Sequence, residues 1–104
     1  MPHSIYGEVH SRTALRAAFR EIRRDIGAAR SANALRELYG RSGYVVSLIH
    51  DPAWQERLGE SIEEMRTLAC EEFARSARAI NRRATALDAD VRVEERWSGP
   101  THAA

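Results

Sequence analysis

From Leu58 to Leu87 the apolar positions return at steps of four, three, four, four, three, four, four and three residues: Leu58, Ile62, Met65, Ala69, Phe73, Ser76, Ile80, Ala84 and Leu87, with Ser76 filling the one polar gap. An α-helix gathers such a set onto one face, and the eleven-residue repeat suits a nearly straight rod. The sequence Asp51-Pro52 marks where this helix begins. Aspartate is a good N-cap, and proline at the first helical position loses only an N–H that had no partner. Gly59 followed by Ser61 and Glu64 reads as a break and a fresh capping box, so the rod either runs through from Pro52 or restarts at Ser61.

Two shorter helices precede it. Leu15, Phe19, Ile22 and Ile26 recur at helical spacing after Ser11 or Thr13, and Leu35, Leu38, Tyr39, Ser42, Val45, Val46 and Ile49 do so after Ser31 or Asn33. Gly40 and Gly43 weaken the second helix, and a strand over residues 44–50 is the alternative, because Val45, Val46 and Ile49 are β-branched. Beyond Leu87 the periodicity stops. Val91, Val93 and Trp97 alternate as an edge strand or an extended segment would.

These elements define an all-α fold: a three-helix bundle, or four-helix if Gly59 divides the last helix, with a long C-terminal helix and a short polar tail. Residues 1–97 are expected to form a single helical domain and residues 98–104 a flexible tail. A chain of 104 residues has the size of one domain. Its first residues carry neither a basic leader nor a cleavage site, and "YVVSLI" is too short to cross a bilayer, so a cytoplasmic location with no membrane contact is expected. A single cysteine, Cys70, excludes an intrachain disulfide.

The long helix raises a problem of coverage. Each shorter helix is about 26 Å long, against roughly 54 Å for an unbroken helix from Pro52 to Leu87. Leaving Phe73, Ile80 and Leu87 in water forgoes roughly 1.5–3 kcal/mol for each large side chain. The cover can come from the tail through Trp97, a second copy or another protein, and a homodimer built on the third helix is favoured. The expected contact residues are Trp54, Leu58, Ile62, Met65, Phe73, Ile80, Leu87 and Trp97.

All sixteen basic residues are arginine, which fits a GC-rich bacterial coding bias, and the formal net charge is only +1. The distribution is segregated. Residues 1–30 carry six Arg against three acids (+3) and residues 31–50 two against one (+1). Residues 51–74 carry two Arg against seven acids (−5), residues 75–87 four Arg alone (+4), and residues 88–104 two against four (−2). Acids in the first half of the long helix and arginines in its second half complement the helix dipole. The stripe Arg12, Arg16, Arg20, Arg23 and Arg24 on the first helix then has two readings: a phosphate-contacting surface, or one side of an ion-paired interface with Glu56 to Glu72.

Local spacing offers little chemistry. His3, His10, His50 and His102 form no paired metal motif, so neither a metal nor another cofactor is expected. Acids beside Cys70 disfavour its thiolate. Glu63–Glu64 and Glu71–Glu72 are adjacent on a helix and point about 100° apart, so they do not share a site. Gly40 and Gly43 in "YGRSGY" suit close helix approach or a turn, with a ligand loop near Tyr39 and Tyr44 the lesser reading. The expected function is a non-enzymatic, homodimeric protein–protein interaction module serving as an adaptor, accessory or regulatory subunit. The alternative is a small nucleic-acid-binding regulator that uses the arginine-rich face.

Overall fold

The computed structural model describes residues 11–56 and 61–99. Among them, three long helices, α1 (Arg12–Ala28), α2 (Ala32–Ile49) and α4 (Ile62–Leu87), enclose one core, and α3 (Pro52–Gln55) adds a single turn. The fold is all-α, as the periodicity predicts.

Serine caps each long helix. The Ser11 hydroxyl accepts from the N–H of Ala14 at 3.1 Å, Ser31 from Ala34 at 3.1 Å and Ser61 from Glu64 at 3.4 Å, each meeting one donor that the first turn leaves unpaired. Asp51 opens the α3 turn, its carboxylate accepting from Ala53 N–H at 3.0 Å. The long apolar repeat is therefore divided, with a new helix capped at Ser61. Residues 44–49 are helical, so the strand alternative fails there. Val45, Val46 and Ile49 lie on the buried face of α2, and the buried hydroxyl of Ser42 is satisfied by the Leu38 carbonyl at 3.0 Å.

The chain runs up, down and up, which leaves α1 and α4 parallel. Arg12 meets Glu64, Arg23 meets Glu72, and Arg83 donates to the carbonyl of Ala29, so positions rise together along both helices. The core contains Leu15, Phe19, Ile22 and Ile26 of α1, Leu35, Val45, Val46 and Ile49 of α2, and Met65, Ala69, Phe73, Ile80 and Ala84 of α4.

Coverage of α4 turns out differently from the expectation. Met65, Phe73 and Ile80 are 0%, 2% and 0% exposed within the single chain. Two features close the gap that a continuous rod would leave. The break before Ser61 shortens α4 to 26 residues, about 39 Å. The segment after Leu87 then folds back, placing Val91, Val93 and Trp97 against the core, while Leu87 is half-buried. A dimer is therefore not needed to cover Phe73 and Ile80. The tail is irregular, with no strand among the described residues.

Candidate interaction surfaces

The tail's hydrogen bonds to the helices are made by its backbone. Arg36 of α2 donates to the carbonyl of Asp90 at 3.1 Å, and the Tyr39 hydroxyl donates to that of Glu94 at 3.1 Å. Opposite them, the side-chain amide of Asn81 on α4 donates to the Val93 carbonyl at 3.0 Å and accepts from the Val93 N–H at 2.8 Å. This pairing supplies both hydrogen bonds that a neighbouring strand would make. Arg78 faces Glu95 at 3.8 Å, and Trp97 stacks on His50 with ring centroids 4.5 Å apart. Residues 90–97 thus lie extended in the groove between α2 and α4, parallel to α2. Burial, reinforced by the nearby Glu94 carboxylate, raises the Tyr39 pKa above its usual value.

Beside this groove lies a second, open one. Tyr39, Gly40, Gly43, Tyr44, Ser47, Phe73 and Trp97 line a cavity of about 410 Å³. Tyr44 is 56% exposed, unusual for a large apolar side chain in this structure. Among the described residues a Cβ built on Gly40 or Gly43 meets nothing within 4 Å, so neither glycine serves close packing against them. They leave an open notch in the exposed side of α2, next to an aromatic knob.

The arginine stripe meets acids of α4. The Arg23 guanidinium bonds Glu72 at 2.7 Å, and Glu72 is 4% exposed. Arg75 approaches the other Glu72 oxygen at 3.7 Å. Arg12 pairs with Glu64 at 3.3 Å, and Arg16 lines a cleft with Glu63, Glu64 and Glu71. Arg24 pairs with Glu21 on its own helix, whereas Arg20 is exposed and has no ion pair among the described residues. The side opposite the stripe is also tied down, by Arg41 facing Asp25 at 3.8 Å.

The expected contact residues separate accordingly. Met65, Phe73 and Ile80, expected at a partner contact, are buried in the intramolecular core; Ile62 and Leu87 are half-buried. Trp97 packs on His50. Leu58 and the Trp54 side chain lie outside the described residues. Cys70 is a half-buried free thiol whose pKa is raised by burial and then by the Glu71 charge, the opposite of an activated nucleophile. Among the described residues no group of His, Cys, Asp and Glu is arranged to hold a metal ion, and no helix is long and apolar enough to cross a membrane.

Asn81 and Glu72 are buried, partnered polar side chains that periodicity alone passes over. Both sit at the margin of the α4 stripe, Asn81 one position after Ile80 and Glu72 one before Phe73. A polar residue at such a margin is the available signal, since burying it demands a partner. No family model, curated protein or solved structure matches the chain.

Proposed function

We propose that the chain is a cytoplasmic, non-enzymatic interaction module that assembles as a homodimer through the exposed face of α2 and acts as an adaptor, accessory or regulatory subunit. The observation that carries this reading is the pairing of a knob and a notch on one face: Tyr44 beside Gly40 and Gly43. Each glycine inside a helix costs about 0.8–1 kcal/mol relative to alanine. Among the described residues no close neighbour offsets that cost. A face bearing both a knob and a notch suits a two-fold contact, in which each Tyr44 enters the other copy's notch. The ion pairs of Arg12 and Arg23 favour this reading over nucleic-acid binding, because they engage part of the stripe within the chain.

Light scattering on the purified chain tests it. The expected mass is that of two chains at micromolar concentration, falling to one chain in Tyr44→Glu, which places a charge in the contact. A wild-type mass of one chain throughout the micromolar range refutes the dimer.

A further inference from the structure

Four aromatic side chains converge on the open cavity beside the tail: Tyr39, Tyr44, Phe73 and Trp97. The chain has two Trp, three Tyr and two Phe, so this one cavity gathers more than half of its aromatic rings. Three of the four are held in place by the fold itself. Phe73 is 2% exposed and belongs to the core. The Tyr39 hydroxyl is fixed on the Glu94 carbonyl at 3.1 Å, and its ring meets that of Phe73 at 5.4 Å and 49°, a corner rather than a flat stack. Trp97 is backed by His50. A ligand entering here finds walls already in position, so little ordering opposes its binding. Tyr44 is the exposed wall, and Gly40 and Gly43 leave the space beside it open.

The electrostatics of the cavity select the class of ligand. Charged residues make up 30% of the chain, yet none lines this cavity. An anion would lose its hydration without gaining a counter-charge. The surrounding field is negative. Aromatic faces carry partial negative charge, and Ser47 lies in the last turn of α2, where the helix dipole is negative and no basic residue is present. Burial and then the Glu94 charge raise the Tyr39 pKa, so that carboxylate also acts on the cavity wall.

We propose that this cavity is an aromatic cage for a small quaternary ammonium group, the trimethylammonium head of a metabolite. Such a head is weakly hydrated, needs no hydrogen bond and is drawn to ring faces through its diffuse charge. A cavity of about 410 Å³ lies within the range of small-ligand sites. The proposal does not rest on the homodimer reading, because every lining residue belongs to one chain. A second copy's Tyr44 seated in the same notch competes with the ligand, so binding is measured below the micromolar range.

Trp54→Phe leaves Trp97 as the sole tryptophan, and its emission is followed in the full chain at constant ionic strength. The probes are tetramethylammonium chloride and tert-butanol, which are close in size and shape but differ in charge. Tetramethylammonium is expected to change the emission saturably, with an affinity at least about tenfold above that of tert-butanol. Gly43→Leu, whose Cβ meets no described neighbour, fills the cavity and abolishes the response while the melting temperature stays at or above that of the parent. Tyr44→Ala, at an exposed position, weakens binding by about two- to fivefold. Equal affinity for the two probes overturns the cationic ligand, and no saturable response to either overturns the site. A response unchanged in both Gly43→Leu and Tyr44→Ala places binding elsewhere and also overturns it. Light scattering reads the homodimer separately: a one-chain mass leaves the cage standing, and an empty cage leaves the dimer standing.

Discussion

Removing the Arg23 guanidinium tests whether the arginine stripe holds the bundle together. In Arg23→Ala the Glu72 carboxylate, whose side chain is only 5% exposed, loses its 2.7 Å partner. Stranding one member of a fully buried pair costs about 3–5 kcal/mol. Two features reduce that here: Arg23 is itself 25% exposed, and Arg75 remains 3.7 Å from the second Glu72 oxygen. A loss of about 2 kcal/mol is expected, with Tm falling by about 8–16 °C for a domain of this size. Urea denaturation with a shared m-value gives the difference directly. The control is Arg24→Ala, whose partner Glu21 is on the surface, so the change should stay within about 0.5 kcal/mol. A double variant, Arg23→Met with Glu72→Met, restores most of the stability by removing both charges together. Equal costs for Arg23→Ala and Arg24→Ala would refute the argument that burial sets the worth of this pair.

Gly40→Ala and Gly43→Ala together should stabilise the monomer by about 1–2 kcal/mol, read by denaturation, while weakening self-association in light scattering; a loss of stability would mean that the notch is packed from within. Asn81→Ala leaves the Val93 amide and carbonyl without their partner, at a cost of about 1–3 kcal/mol, and should shift the Trp97 emission to the red as the tail loosens. Because the Cys70 pKa is raised, alkylation at neutral pH should be slower than for an exposed cysteine and should keep accelerating with pH beyond the usual thiol range; Glu71→Gln should speed it. Tyr39, also raised, binds its proton more tightly in the folded state, so its contribution to stability is intact below about pH 10 and declines as the pH rises through its folded pKa, which absorbance titration follows. Polynucleotide binding should be absent even at low salt, because Arg12 and Arg23 already have acidic partners; steep, salt-sensitive binding would restore the nucleic-acid reading.

The helices and their starts were legible because apolar spacing and serine caps are local signals. The capping box at Ser61 marked where the last helix starts, and unbroken periodicity through Gly40 and Gly43 placed residues 44–49 in a helix against their β-branched character. Of the two readings the segment charges left for the α1 arginines, contact with the α4 glutamates holds for Arg12 and Arg23. The tail through Trp97 was one of three covers the sequence allowed for α4, and helix length alone favoured a second copy because it understates what an extended segment can bury. Eight residues of tail reach as far as about 26 Å, enough to follow α2 along most of its length. Asn81 and Arg36 gave no periodic sign of their roles, since each binds the backbone of a segment whose path is settled only by the tertiary fold. The open notch was equally illegible: glycine spacing is the same whether another helix fills the space or nothing does.

The parallel arrangement of α1 and α4 has a consequence for the order in which the protein takes shape. The first two helices form a local hairpin, but α1 and α2 meet each other less extensively than either meets α4. Leu15, Phe19 and Ile22 therefore await a partner encoded some fifty positions later, and the strand-like cover encoded by Val91, Val93 and Trp97 follows later still. On a translating ribosome α1 and α2 have no finished core to fall into until α4 and the segment through Trp97 have emerged. In that interval the apolar faces of α1 and α2 lack the partner that α4 and the tail later supply.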